Sequence, residues 1–468
     1  MNQNNSLAMF ENESIGKLMI KFSLPAIASM VVNSIYNIVD QIFIGQGVGM
    51  YGNAATNLTF PLVTIAMAIG TLIADGCVAY FSLKLGQKNY DEAARTMGNG
   101  ITISLLAGLF ITLSMELLLT PVLNLCGGAK VAEETFRYAT EYARITLIGI
   151  PFVCISMTVT SIIRAQGNPR YAMISNISGC LLNVVLDAWF VLGLGWGVAG
   201  AAWATIIGQI LNFVLAVAYI PRLKGIKFKR EYAIIRKNTL FSFLPLGISS
   251  FFTQFGSTIV VICVNNLTVK YGIQSIYGPD IPLAAFGIVM KVNSIIISVM
   301  VGLGIGSQPI VGYNYGAGDT ARIRLAEKHI LKTALLFCTI MFVFAQWDVS
   351  AGIFVGLFTQ NAAYRSMTVH FIHIYTLSVI PLAVQYALVD GLTGMSLVCA
   401  SLPLSFFRKG IYSALAVFLP IRFGAPAMFY AEPLSDVVAA VVTTIVFVTV
   451  VPGLLRKREA LLGKHIEK

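Results

Sequence analysis

The chain is short of charge. Asp, Glu, Lys and Arg make up 11% of its 468 residues, against about 25% in a soluble domain. So few ionic groups cannot cover a water-facing surface of that size, which excludes an ordinary soluble protein. Histidine is scarcer still, with four copies at 329, 370, 373 and 465 and no H-E-x-x-H spacing. His370 and His373, three apart, read as interfacial packing. The seven cysteines (77, 126, 154, 180, 263, 338, 399) are scattered through apolar stretches without a C-x-x-C pair. They read as small packing residues, not as a redox or metal centre. No basic leader or cleavage site precedes the first apolar run, so no signal peptide is expected and that run stays in the mature protein.

Apolar surface is what the chain has in excess. Hydrophobic residues make up 57% of it, and runs of about 20 of them recur, each long enough to cross about 30 Å of hydrocarbon as a helix. Twelve spans are expected, at 17–45, 53–80, 95–119, 134–160, 170–193, 198–220, 240–265, 283–310, 324–347, 367–390, 400–420 and 427–452. A membrane β-barrel would show segments of about 10 alternating residues instead, and none occurs. The expected fold is an all-α integral membrane protein.

The net charge of +11 could indicate nucleic acid, but its placement argues otherwise. With the N-terminus in the cytoplasm, about 25 of the 32 Lys and Arg residues fall on the cytoplasmic face, as the positive-inside rule requires. The densest cluster (Arg222, Lys224, Lys227, Lys229, Arg230, Arg236, Lys237) lies between spans six and seven and reads as an orientation signal. No nucleic-acid partner follows. The expected location is the bacterial cytoplasmic (inner) membrane, with both termini cytoplasmic.

That basic connector divides the chain into an N-terminal lobe (1–220), the connector (221–239), a C-terminal lobe (240–455) and a cytoplasmic tail (456–468). The lobes repeat each other. Leu24-Pro25 matches Leu244-Pro245, Gly149-Ile150-Pro151 matches Val379-Ile380-Pro381, and Gly197 through Thr205 matches Gly424 through Glu432 without a gap. Six spans per lobe is an even number, so the two lobes enter the bilayer from the same side. They should be related by a pseudo-two-fold axis along the membrane normal, with a cavity between them. That is the layout of a transporter.

Charge inside a membrane costs at least about 2.5–3.5 kcal/mol on insertion scales, so deep carboxylates are candidate functional groups. In span one, Asn33, Tyr36, Asn37 and Asp40 form one polar helical stripe. In span five, Asn176, Asn183 and Asp187 form another. Interhelical hydrogen bonding, worth about 0.6 kcal/mol each, explains the asparagines but not two aspartates. Both deep carboxylates thus fall in the first lobe, and their repeat positions lie near Val260 and Ala414. Lys291 in span eight is the one deep base expected. Glu432 takes the repeat position of Thr205, and Asp390, at the end of span ten, reads as structural.

Together these residues resemble the MATE (multidrug and toxic compound extrusion) family in its bacterial branch. The carriers are Leu24-Pro25 with Asp40, Leu85-Gly86 with Asp91-Glu92-Ala93, Arg164 through Asn168, Asn183 with Asp187, and Gly197, Gly200 and Thr205. The resemblance implies a monomeric antiporter that exports organic, often cationic or amphipathic, compounds as H⁺ or Na⁺ enters, without a cofactor or catalysis. It places a cation site, with Na⁺ as one occupant, on Asp40, Asn183, Asp187 and Thr205. Asn33, Tyr36, Tyr142 and Thr160 would line the same cavity, and Pro25 would act as a hinge. Where many members carry a span-seven glutamate, this chain has Thr253 and Gln254, which favours coupling in the first lobe. A lipid-linked oligosaccharide flippase is the alternative, although its anionic substrates would call for more deep bases than Lys291.

Overall fold

The computed structural model describes all residues except 1–4, 127–131, 224–228, 257, 259–279, 357–361, 424 and 467–468. Lys224, Lys227, Val260, Cys263 and Gly424 therefore lie outside the described residues. All regular structure described is helical. Hydrocarbon offers no partner to a bare peptide group, and a helix satisfies its own.

Ten of the described helices are long and apolar enough to cross a membrane. An eleventh span is the pair Arg365–Thr376 and Val379–Gly394, bent by 43°. The expected seventh span begins with the short helix Lys237–Phe243 and the 3-10 turn Leu244–Gly247, and continues as helix over 248–256 before most of it leaves the described residues. In the first lobe the spans are Ile15–Gly47, Met50–Gly86, Tyr90–Leu117, Glu133–Ala165, Pro169–Asp187 (extended by Ala188–Gly193) and Gly197–Ala218. In the second lobe spans eight, nine, eleven and twelve are Asp280–Ala317, Thr320–Gln346, Val398–Phe423 and Ala431–Ile466.

The helices begin where the sequence supplies caps. The side chains of Asn89, Asn168 and Asp319 each accept a backbone N–H three residues on, at 3.0–3.2 Å, and so start spans three, five and nine. All three lie on the face that carries the connector.

On that connector face the lobes close tightly against each other, in pairs that repeat the sequence symmetry. Gly306 of span eight packs on the Ser23 backbone of span one, as Gly76 of span two packs on Phe243 of span seven. Gly302 packs on Ile27 as Gly247 packs on Leu72, and Gly86 meets the Tyr313 carbonyl as Gly316 meets that of Leu83. A Cβ at Gly302 would stand 2.6 Å from the Ile27 Cα, so the seam requires glycine. Further along, Ser34 and Ser294 hydroxyls meet at 3.2 Å across the same crossing. A large core cluster runs through this junction, with Phe22, Phe81, Ile310 and Ile323 fully enclosed.

The connector is strapped to the first lobe. Asn99, fully buried, donates to the Tyr232 and Ile234 carbonyls at 3.0 and 3.2 Å and accepts from the Arg236 N–H at 2.8 Å. The Tyr232 hydroxyl donates to Asp91 at 2.7 Å, and this bond pushes the phenol pKa up.

Candidate cation-coupling site

Four of the residues singled out from the sequence converge between spans one, five and six. The Asp40 and Asp187 carboxyls lie within hydrogen-bonding reach of each other across spans one and five. Asn183, one turn before Asp187, donates from Nδ2 to Asp187 Oδ2 at 3.2 Å. Its Oδ1 accepts from the Thr205 hydroxyl at 3.3 Å and the Thr205 N–H at 3.1 Å. This amide orientation gives every donor an acceptor, whereas the opposite one sets like against like. Asp40 is 8% exposed, Asn183 2% and Asp187 0%.

Local structure aims these groups. Asn183 and Asp187 are four apart on one helix, hence neighbours on one face. Directly after Asp187 the helix widens into a π turn, Ala188–Gly193, a device common at functional sites. Ile44, Tyr142, Val191, Val198 and Ala201 form an apolar wall around the group. Tyr142 and Tyr36 both lie within electrostatic reach of the two aspartates.

One oxygen on each acid, Asp40 Oδ1 and Asp187 Oδ1, is buried without a hydrogen-bond partner. Two carboxyls this close cannot both stay ionised without something between them. Chemically, such an arrangement can hold a proton, or a small cation, between the two acids. No three His, Cys, Asp or Glu side chains converge as metal ligands among the described residues, so a cation here would rely on Asn183, Thr205 or water for its remaining oxygens.

Other candidates fall elsewhere. Asn37 is exposed and donates back to Asn33 on its own helix, at 2.7 Å to the carbonyl and 3.0 Å to Oδ1. Asn176 donates to the Ser29 carbonyl at 3.4 Å. Thr160 gives its hydroxyl hydrogen to the Ser156 carbonyl at 2.7 Å, and Gln254 is exposed. Pro25 is buried inside a continuous helix, where its ring leaves one carbonyl without an N–H. Lys291 reaches Gln41 of the first lobe at 3.4 Å.

The second lobe corrects the expectation that deep carboxylates are confined to the first. Glu432 is ion-paired with Arg408 at 3.0 Å, and Asp436 pairs with the same guanidinium at 2.7 Å. The Ser378 hydroxyl adds a bond to Asp436 at 2.9 Å. These three charged side chains are at most 7% exposed, and Arg408 lies over the Tyr386 ring. Lys291 is accordingly not the one deep base. Glu327 of span nine is also buried, at 7%. Sequence reasoning passed over Arg408, Asp436 and Glu327, although Arg408 sits well inside an apolar run and Glu432 and Asp436 share a helical face. Those were the available signals.

The family profile MatE matches residues 25–189 and again 245–419, one copy in each lobe. The chain belongs to the MatE family. Its members are multi-pass membrane transporters and not enzymes, and a duplicated profile is what two repeated lobes produce. The chain is 28% identical over 339 residues to multidrug export protein MepA of Staphylococcus haemolyticus (strain JCSC1435), covering 72% of this chain and 73% of that one. It is 25% identical over 368 residues to MepA of Staphylococcus aureus (strain NCTC 8325), covering 77% of each. Its fold matches an outward-facing multidrug resistance MATE transporter of the MOP superfamily with a TM-score of 0.88, at 20% identity over 99% of this chain and 100% of that one. A MATE structure in complex with MaD3S matches at 0.87, again with 20% identity and 99% and 100% coverage. These likenesses establish the two-lobe MATE fold.

Proposed function

We propose that the chain is a secondary active antiporter that exports organic, often cationic or amphipathic, compounds in exchange for H⁺ or Na⁺ by alternating access. The observation that carries this reading is the close approach of Asp40 and Asp187, each with a buried, unpartnered oxygen. A pair that must gain or lose a cation whenever its surroundings open to water is a coupling device. The curated relatives' names as multidrug export proteins support the same substrate class.

The energetics are adequate. One proton entering down a potential of about 100 mV releases about 2.3 kcal/mol, enough for roughly a 50-fold substrate gradient. The connector face is the cytoplasmic one in this reading, with both termini inside, the lobes divided at 221–239, and a monomer in the bacterial cytoplasmic membrane. The flippase alternative is not favoured. The added deep base, Arg408, is already neutralised by two carboxylates and presents no bare charge to a pyrophosphate.

The test is efflux of a cationic dye from everted vesicles, with the pH gradient and Na⁺ varied independently. Efflux that follows either gradient, and is lost in Asp40→Asn, is the expected result. Efflux indifferent to both gradients, or undiminished in that variant, overturns the reading.

A further inference from the structure

A second group of acids lies away from the Asp40–Asp187 pair, inside the connector-face half of the second lobe. Glu327 sits two turns into span nine, about 10 Å from its capped end. The side chain is 7% exposed and neither carboxyl oxygen has a hydrogen-bond partner. Its two oxygens press on Gly391 of span ten, where a Cβ would collide with them. The preceding residue, Asp390, extends its own carboxyl over Gly304 of span eight. Two glycines thus clear the space that two acids occupy. Asp390 acts electrostatically on Glu327, and Asp75 of span two acts in turn on Asp390.

The surroundings supply too little positive charge. Span nine packs against spans one, eight and ten. Span ten brings Asp390, while spans one and eight bring no charged group that acts on Glu327 among the described residues. Spans eleven and twelve also pack on span ten and bring none that acts on Asp390. Across the junction, Ser250 of span seven and the Arg164 guanidinium of span four both act on Asp75. Fully ionised, this chain of groups would set three carboxylates against one guanidinium, with Glu327 buried and Asp75, Asp390 and Arg164 half-buried. Arg164 and Ser250 both bear on Asp75, which leaves Glu327 and Asp390 uncompensated.

The fold does not need acids there. By the repeat that pairs Gly76 with Gly306 and Pro151 with Pro381, the counterparts of Glu327 and Asp390 in the first lobe are Met97 and Thr160. Met97 is 1% exposed and Thr160 bonds to its own helix. The same helix crossings therefore close without carboxylates.

We propose that Glu327 and Asp390 form a second proton-binding site, and that this site must be loaded before the connector-face seam between the lobes can close. When the seam parts, water reaches both carboxyls and they release their protons. The resulting charges then oppose reclosure until protons return. Each step is proton exchange with water and needs no other reactant. The inference rests on the closed seam and not on the Asp40–Asp187 pair, so either can fail alone.

The experiment uses the full chain in lipid nanodiscs, with its native cysteines replaced and spin labels at Gln87 and Arg324, exposed residues at the connector-face ends of the two lobes. The distance distribution is recorded from acidic to alkaline buffer. The closed population should fall as pH rises in the parent protein. In Glu327→Gln/Asp390→Asn that dependence should be lost, with the seam closed throughout, because the neutral side chains imitate the loaded site. Glu327→Met, which restores the first-lobe residue, should weaken the dependence in the same direction and serves if the double variant does not fold. Asp40→Asn/Asp187→Asn should keep it. A parent seam indifferent to pH, or a full dependence remaining in both Glu327 variants, overturns the proposal.

Discussion

Replacing Arg408 with methionine should be among the most destabilising single changes in the second lobe. Methionine fills much of the same volume, so loss of packing is small and the effect is mainly electrostatic. Removing the guanidinium takes away the ion-pair partner of Glu432 and Asp436, at positions no more than 7% exposed, and leaves only the more distant attraction of Lys409. Breaking a buried ion pair by deleting one partner costs about 3–5 kcal/mol. That agrees with a price of roughly 2.5–3.5 kcal/mol per charge on membrane-insertion scales, because protonation relieves part of it. The folded-to-unfolded ratio should then drop by roughly two to four orders of magnitude. The partner variant decides the cause. Arg408→Met/Glu432→Gln/Asp436→Asn removes all three charges together, and neutralised triads are often no less stable than the originals. Thermal unfolding of the purified protein in detergent, followed by loss of the monodisperse peak, compares the two. The triple variant should recover most of what the single one loses. A single variant within about 1 kcal/mol of the parent, or a triple variant as unstable as the single, would refute the reasoning.

Asp40→Asn and Asp187→Asn should each abolish ion-driven dye efflux at normal expression, with the double variant little worse than either, since the two acids act as one unit; substantial activity in either single variant sinks that expectation. Gly306→Leu should prevent closure of the connector face, because its side chain would enter the Ser23 backbone, whereas Gly410→Leu, with open space beside it, should be tolerated. Cysteine accessibility at the seam reads the difference, and equal behaviour of the two would contradict it. Pro25→Ala restores a backbone hydrogen bond in span one and should slow turnover while leaving substrate affinity nearly unchanged. An unaltered rate in vesicles would reduce this proline to packing.

Composition alone determined that this chain is helical and membrane-embedded. A polypeptide with long apolar runs and few charges has no other way to satisfy its backbone in hydrocarbon. Internal matches such as Leu24-Pro25 with Leu244-Pro245 exposed the two lobes, since duplication leaves a linear record. The spacing of Asn183 and Asp187, and the depth of Asp40, were equally readable, because helical periodicity converts a sequence interval into a shared face. Tertiary structure decided what those faces meet. That Asp40 approaches Asp187, and that Asn37 turns away to Asn33, depends on how spans one and five are rotated about their axes. Hydrophobic patterning sets that rotation weakly in a bundle so uniformly apolar. The second lobe shows this most clearly. Read singly, Glu432 was a lone acid and Lys291 the one deep base. The crossing of spans eleven and twelve instead delivers Arg408 to two carboxylates, and the packing of span ten on span nine brings Asp390 within electrostatic reach of Glu327. A charge buried among helices is assigned by its partners, and partners from separate helices are chosen by packing in three dimensions.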